Sequence, residues 1–225
     1  MFYSLQFILS YKIRGFDSGI LQAMLHTHKP YKADFLTDHC PGSYLLVAAF
    51  SALLVLLQFF QAELIFQRYL IMEGEFWRLW TGNLVHTNLW HLALNLGGFW
   101  LLVFIQRPAP PSRTLIAQIL FISTCVGVGL WFFNQDLIWY AGFSGTLYGL
   151  FMLTGIHLLK QKDWVSAALI LGGICGKTLW DWSQGGMALS ASLIEAPVIY
   201  TAHVYGMLGG IMLSLPHFFR HLTNR

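Results

Sequence analysis

Long apolar stretches separated by short polar segments recur along the chain from residue 44 onwards. A helix that crosses a bilayer needs roughly 20 mainly apolar residues, and six stretches come near that length. We predict spanning helices at Tyr44 to Phe60, Leu84 to Phe104, Leu115 to Phe133, Phe143 to Leu159, Trp164 to Leu179 and Ala196 to Leu215. Backbone polar groups in lipid must be satisfied within each segment, so these stretches indicate helices.

The composition agrees with a membrane protein. Apolar residues make up 56% of the chain and charged residues only 10%, whereas soluble domains average about 25% charged residues. We therefore predict an all-α fold, a polytopic membrane protein with a six-transmembrane-helix bundle over residues 44–216. Residues 1–43 are interpreted as a cytoplasmic extension, and residues 217–225 as a cytoplasmic tail.

The distribution of basic residues predicts the orientation. Lys and Arg prefer cytoplasmic loops. With six spans and both termini in the cytoplasm, only Arg68, Arg78 and Lys177 of the 13 basic residues fall on the outer side. This orientation accounts for the formal net charge of +3, so the charge gives no reason to expect a nucleic-acid partner.

The second predicted span carries polar side chains where lipid is expected. Such groups are costly in a membrane and usually face the bundle interior or a watery cavity. His91 and Asn95 are four residues apart and share one helix face, while His86 is placed at or before the helix start. Two donors on one face suit the binding of an oxyanion. The alternative is that they only bridge helices.

A serine lies at the predicted start of the fourth span, in Gly142-Phe143-Ser144-Gly145. A helix N-terminus carries unsatisfied N–H groups and partial positive charge, which favours a developing oxyanion. Serine is also an ordinary N-cap residue, so the motif alone leaves that alternative open. The sixth span supplies a candidate base, His203.

Pairs of small residues indicate that the fourth and sixth spans pack closely, because such pairs let helix backbones approach each other. The pairs are Gly145 with Gly149 and Gly206 with Gly210. Packing through these faces would bring Ser144 within hydrogen-bond reach of His203, as an activated nucleophile requires. Tyr148, one turn after Ser144, is placed to stack on the imidazole.

We predict a Ser–His dyad, since no Asp or Glu falls within the core of any predicted span. One metal alternative is a zinc site built from His86, His91 and His203, but an HExxH motif is absent. The other is a cluster near the end of the extension in which no ligand pair has a recognised spacing: His26, His28, Asp34, Asp38, His39 and Cys40. The sequence therefore predicts neither a metal nor a cofactor.

The ordered motifs between Glu75 and Gly210 resemble those of the rhomboid intramembrane serine proteases. The matching positions are Trp77 and Arg78 in the first loop, His86, His91 and Asn95 at the second span, Gly142, Phe143, Ser144, Gly145 and Tyr148 at the fourth, and Ala202, His203, Gly206 and Gly210 in the sixth.

The resemblance implies a serine endopeptidase with Ser144 as nucleophile and His203 as general base. It also implies an oxyanion hole formed by His91, Asn95 and the Ser144 backbone N–H. The implied supporting residues are Tyr148, His86, Gly142, Gly145, Gly206, Gly210, Trp77 and Arg78. Substrates would be single-span membrane proteins in the lipid bilayer, cut near the outer face at small, Gly-rich, helix-breaking sequence, since Gly is about 1 kcal/mol poorer than Ala in a helix.

Within that family the chain looks most like the bacterial rhombosortase branch. The likeness rests on the compact layout of six predicted spans, on the Ala-His-Val-Tyr-Gly sequence around His203 and on the polar stretch from Lys177 to Asp181. It implies a multi-pass protein of the bacterial inner membrane that removes a C-terminal GlyGly-type anchor from secreted or surface proteins.

Two other functions are compatible with a membrane bundle that contains buried His and Asn. One is a rhomboid-like protein that binds membrane clients without cleaving them. The other is a small transporter, which would need ionisable residues along a continuous path, whereas the polar groups here cluster toward the predicted outer half.

Overall fold

The structure, a computed structural model, describes residues 41–106, 109–187 and 189–215. The predicted N-terminal extension, apart from residues 41–43, and the predicted tail lie outside the described residues. The long helices are α1 (Pro41–Leu57), α5 (Leu89–Ile105), α6 (Ser112–Phe133), α7 (Ser144–Lys160), α8 (Trp164–Ser183) and α10 (Tyr200–Ser214). The predicted all-α fold is confirmed.

The predicted spans differ from the observed helices mainly at their ends. Helix α5 begins at Leu89 instead of Leu84, because the Asn88 side chain caps it by accepting a hydrogen bond from the His91 backbone N–H at 2.9 Å. Helix α10 begins at Tyr200 instead of Ala196. The chain before it has no regular secondary structure, and the Val198 N–H donates to the Gly186 carbonyl instead of to a helical neighbour.

Two helical stretches among the described residues, Gly42–Leu64 and Ser112–Phe133, are long and apolar enough to cross a membrane. Leu89–Ile105 is apolar but shorter. Helices α7, α8 and α10 have 17, 20 and 15 residues, so they lie near or below the length of about 20 residues that a span requires. The count of six spans therefore stays a prediction, and the bundle is consistent with it.

The connection between α1 and α5 folds into short elements. These are a 3₁₀ turn (Gln58–Phe60), α2 (Gln61–Leu64), β1 (Phe66–Gln67), α3 (Arg68–Met72) and α4 (Arg78–Thr81). Strand β1 pairs antiparallel with β2 (Trp139–Tyr140), with Phe66 opposite Tyr140. This two-stranded ribbon joins the connection between α1 and α5 to the segment just before Ser144. Helix α9 (Leu189–Ile194) lies between α8 and α10.

Helices α7 and α10 form the centre of the bundle and pack against each other along most of their length. Glycines make this possible: a Cβ at Gly206 would overlap the Gly145 carbonyl, and a Cβ at Gly149 would overlap the Gly206 carbonyl. The two glycine faces that the sequence singled out therefore meet. A Cβ at Gly210 would likewise overlap the carbonyl of Gly149.

Candidate active site

Ser144 and His203 meet where α7 packs on α10. The His203 Nε2 atom lies 3.1 Å from the Ser144 Oγ atom, and His203 is a buried residue, 5% exposed. Ser144 is the first residue of α7, so its own backbone N–H is one of the donors that a helix leaves without an intrahelical partner. A hydroxyl, an imidazole and a free N–H thus converge on one point.

The imidazole of His203 is held by packing and not by a carboxylate. The Tyr148 ring stacks on it with centroids 4.0 Å apart and ring planes 9° apart, as the spacing from Ser144 predicted. The His203 Nδ1 atom is buried and has no hydrogen-bond partner. Close contact between α7 and α10 and the Tyr148 ring therefore determine how the imidazole is oriented.

Asp181 is a buried acidic residue that the predicted fifth span, ending at Leu179, did not include, and it lies in the last turn of α8. Helix α8 runs on past Leu179 to Ser183, and the Asp181 side chain is fully buried within it. Both of its carboxylate oxygens pair with the Lys177 ammonium, at 2.5 and 2.6 Å, and that ammonium also lies 3.1 Å from the Ser190 hydroxyl. Asp181 is charge-compensated by Lys177, one turn away on the same helix face, and does not bond to His203.

His91 and Asn95 are both buried on one face of α5. The Asn95 amide donates to the His91 carbonyl at 2.9 Å, which occupies one of its two N–H groups. The His91 ring lies against Gly142, since a Cβ there would come within 2.9 Å of His91 Nε2. The imidazole edge therefore faces the backbone that leads into Ser144.

The His91 ring also takes part in a hydrogen bond through its Nδ1 atom. Its Nδ1 atom lies 3.1 Å from the Thr87 hydroxyl, and that hydroxyl donates to the Ile194 carbonyl at 2.6 Å. A hydroxyl has one proton, so a Thr87 that donates to Ile194 must accept from His91 Nδ1. In a neutral imidazole this leaves Nε2 without a proton. Thr87 was not identified from the sequence, although it stands four residues before His91 and the helical spacing signals their contact.

Tyr140 supports the turn before Ser144 and was also not identified from the sequence. Its phenol donates to the Gly142 carbonyl at 2.6 Å, and burial raises the pKa of Tyr140 well above its ordinary value. Gly142 adopts a φ of +140°, which an L side chain rarely takes. The Gly142 N–H donates to the Gly82 carbonyl at 3.0 Å. These bonds fix the backbone from which Ser144 projects.

A small cavity of about 30 Å³ adjoins the Ser144 hydroxyl. That space holds about one water molecule. Its walls include His91 and Thr87 on one side and the covering segment on the other, which we define as residues 194–199. Bonds from Thr87 to the Ile194 carbonyl and from Asn88 to the Leu193 carbonyl hold this side of the site closed.

The family model of the rhomboid domain matches residues 73–219. The chain belongs to the rhomboid family. A curated protein described as "Putative rhomboid protease YdcA", from Bacillus subtilis (strain 168), is 25% identical to it over 150 residues. That alignment covers 64% of this chain and 68% of the relative.

Every sequence-predicted site residue of this rhomboid lies inside the matched region, but some of the side chains that support the site lie before it. Gln58 is the clearest case: its amide accepts from the His86 N–H at 2.9 Å and donates to the His86 carbonyl at 2.5 Å. Gln61 donates to the same carbonyl at 2.7 Å. The sequence feature that could have indicated this role is a pair of glutamines, three residues apart, at the end of an apolar helix.

The His86 imidazole lies behind the site of this rhomboid. Its Nε2 is 3.5 Å from the Phe143 backbone N, and its ring meets the His91 ring edge-on with centroids 5.1 Å apart. His86 precedes α5, as predicted. His86 therefore links the connection between α1 and α5, whose Gln58 and Gln61 bond to its backbone, with His91 and with the backbone that leads into Ser144.

In the first connection of the rhomboid, Arg78 is buried and Trp77 is half exposed. Arg78 bonds to the Glu75 carboxylate at 2.6 Å and to the Ala62 and Ile65 carbonyls at 3.1 and 2.8 Å. Neither residue touches Ser144 in any contact of the described chain.

Among residues 41–106, 109–187 and 189–215, no three His, Cys, Asp or Glu side chains are grouped to bind a metal.

Proposed function

We propose that this protein is an intramembrane serine endopeptidase that works through a Ser144–His203 dyad. The observation that carries the proposal is the 3.1 Å contact between Ser144 Oγ and His203 Nε2 at the first turn of a helix in an apolar bundle. Membership of the rhomboid family supports the same activity.

In the proposed reaction His203 Nε2 takes the proton from Ser144 Oγ as that oxygen bonds to the substrate carbonyl carbon. The electron pair of the C=O bond moves to oxygen, and the resulting oxyanion lies at the N-terminus of α7. The tetrahedral intermediate then expels the amine, which receives the proton from the imidazolium. A water activated by the same imidazole hydrolyses the ester and restores the serine.

The oxyanion would be bound by the Ser144 backbone N–H, the second N–H of Asn95 and His91. Removal of one such donor costs about 10²–10³ in rate. Because Thr87 directs the His91 proton to Nδ1, His91 donates from Nε2 only as the imidazolium or after Thr87 turns away from Ile194. This requirement makes Thr87 part of the proposed oxyanion site.

A peptide needs far more room than the cavity of about 30 Å³ beside Ser144. The other walls are Thr87 and His91, strand β2 and the start of α7, which pack into the bundle, so the covering segment is the part that moves in the proposed binding of a substrate. The segment and α9 have a small apolar cluster of their own, which includes Ala191, Ile194 and Val198. This cluster would let them move as a unit.

The proposed substrates are single-span membrane proteins with small or Gly-rich sequence near the outer face of the bacterial inner membrane, the termini of the enzyme being cytoplasmic. The rhombosortase likeness supports a C-terminal GlyGly-type anchor as the substrate. The low helix propensity of Gly supports it too, because a strand-like peptide must be presented to Ser144.

The test is cleavage of a single-span reporter with a GlyGly-type tail by the purified protein in liposomes. Wild type is expected to cleave it, whereas Ser144→Ala and His203→Ala do not. The matched controls are Ser183→Ala and His157→Ala, which remove exposed residues of the same types and should keep wild-type rates.

Equal cleavage by wild type and both dyad variants would refute the proposed protease. Tight reporter binding without cleavage would indicate the client-binding alternative. A second reporter, with the two glycines replaced by leucines, tests the substrate class. Cleavage of both reporters at one rate would contradict the GlyGly preference and leave the dyad intact.

A further inference from the structure

A second cavity, of about 390 Å³, lies at the opposite end of the bundle from Ser144. Its lining comes from the end of α5, Pro110, Gln118 in the first half of α6, the last two turns of α7 and the end of α10. His157, at its mouth, is 13 residues after Ser144, roughly 20 Å along α7 at 1.5 Å per residue. The volume is within the range of about 300–1,000 Å³ typical of small-molecule sites.

Two side-chain amides in the wall of this cavity have oxygens without hydrogen bonds. Gln118 is 9% exposed as a residue, and its Oε1 atom is buried and has no partner. Gln106 donates through Nε2 to the Thr154 hydroxyl at 2.5 Å, and its Oε1 atom also has no partner. A buried acceptor without a partner costs about 1–3 kcal/mol. The wall therefore favours a ligand that donates hydrogen bonds.

The mouth of the cavity is basic. Lys160 is exposed there and donates to the Ser214 carbonyl at 2.7 Å, so that its charge is held between α7 and α10. Beside it the His157 ring and the Gln161 amide bond to each other at 2.9 Å. A cation at the mouth and acceptors inside match a ligand with an anionic group next to a hydrogen-bond donor.

Apolar side chains complete the lining, including Ile105, Leu153 and Leu213. In a bilayer, the abundant molecules that combine a phosphate, a donor and apolar chains are phospholipids. Basic pockets between membrane helices are known to bind their headgroups. Neither Ser144 nor His203 contributes to this cavity.

We propose that this cavity binds the headgroup of a phospholipid whose phosphate is followed by a hydrogen-bond donor. The phosphate lies at Lys160, and the donor reaches the amide oxygens of Gln118 and Gln106. The acyl chains remain in the surrounding bilayer. The ammonium of phosphatidylethanolamine and the hydroxyls of phosphatidylglycerol both supply such a donor. Phosphatidylcholine has the same phosphate and no donor.

The test is lipid binding to the full chain, delipidated in detergent and measured by native mass spectrometry. The three phospholipids are compared with identical acyl chains. We expect phosphatidylethanolamine, phosphatidylglycerol or both to bind about tenfold more tightly than phosphatidylcholine, the ratio expected for one buried hydrogen bond. Which of the two binds more tightly identifies the donor as ammonium or hydroxyl.

Two variants test the donor-binding part and the phosphate-binding part of the site independently. Gln118→Leu removes an acceptor and keeps the volume, so the preference over phosphatidylcholine should shrink at least threefold while phosphatidylcholine binding stays constant. Lys160→Gln should weaken binding of all three lipids, since each carries the phosphate. Gln184→Leu, at an exposed glutamine outside the cavity, is the control and should match wild type. Thermal unfolding of each variant verifies that it is folded.

Three results would overturn the proposal. The first is phosphatidylcholine binding to wild type as tightly as the other two lipids. The second is a preference that Gln118→Leu leaves unchanged in a folded protein. The third is displacement of the lipid by equal concentrations of phosphoethanolamine or glycerol phosphate without acyl chains, because the ligand would then be a soluble metabolite. None of these results depends on proteolysis.

Discussion

At the scale of single residues, the orientation of His203 depends on an aromatic ring in place of a carboxylate. Tyr148→Phe keeps the stacked ring and should retain wild-type kcat. Tyr148→Leu loses the ring and should lower kcat by roughly 10²-fold to 10³-fold, within the 10²–10⁴ that a positioned general base typically contributes. Reporter cleavage under saturating substrate measures both. Equal loss in Phe and Leu variants would show that the phenol oxygen matters and that stacking does not.

A second residue-scale prediction concerns the proton on His91. If Thr87 holds that proton on Nδ1, His91 must be an imidazolium to donate from Nε2, so activity should fall as pH rises through the titration of His91. Thr87→Val removes the hydroxyl and lets the neutral ring carry its proton on Nε2, so this fall of activity with rising pH should become shallower. The measurement is the pH profile of kcat.

The control for Thr87→Val is Asn88→Asp. It breaks the bond to the Leu193 carbonyl near the covering segment but keeps the acceptor that caps α5. Its pH profile should keep the wild-type shape. An unchanged profile in Thr87→Val, or the same change in Asn88→Asp, would contradict the proposed role of Thr87.

The individual positions that the sequence could identify are those whose chemistry is unusual in lipid. Ser144, His203, His91 and Asn95 stood out because polar groups are costly there. Gln58 and Thr87 did not, because their bonds to His86 and Ile194 join segments distant in sequence. Tyr140 did not, because nothing in the spacing shows that its phenol turns back to the Gly142 carbonyl. Local spacing carries no signal for such partners, except for the four-residue step from Thr87 to His91.

At the scale of helices, the site depends on how closely α7 and α10 approach. Gly206→Ala would place a methyl group against the Gly145 carbonyl, forcing the helices apart and costing roughly 1–3 kcal/mol of stability as an overpacked contact. Gly173→Ala is the control, since nothing lies within 4 Å of its Cβ position. That change should leave stability equal or slightly higher, because Ala favours helix.

The stability of Gly206→Ala and Gly173→Ala is measured by thermal unfolding in detergent, and their activity by reporter cleavage. Gly206→Ala should lose both stability and activity, whereas Gly173→Ala keeps both. Full activity in Gly206→Ala would show that the distance between Ser144 and His203 does not depend on this contact.

Helix positions followed from the apolar pattern, and the glycine pairs predicted which helices pack. The helix ends were less predictable. The Asn88 cap moved the start of α5, and Asp181 extended α8 because Lys177 compensates its charge within the same helix. An ion pair of that kind allows a charged residue to lie inside an apolar helix, at a position where hydropathy alone would predict that the helix ends.

At the scale of the whole molecule, the basic residues predict which end of the bundle faces the cytoplasm. In a cysteine-free background, Lys162→Cys, after α7, should react with a membrane-impermeant maleimide only when the cytoplasmic side is exposed. Gln184→Cys, after α8, should react only from the outer side. Reaction of both from one side would contradict a spanning α8, and the reversed pattern would contradict the orientation.

The central claim is that His203 activates Ser144, and covalent labelling of the purified protein by a fluorophosphonate tests it most directly. Peptide mass spectrometry locates the adduct. The account predicts labelling of wild type on Ser144, at a rate that falls by about 10²–10⁴-fold in His203→Ala and is unchanged in His157→Ala. An adduct on any other residue, or undiminished labelling of Ser144 in His203→Ala, would contradict it.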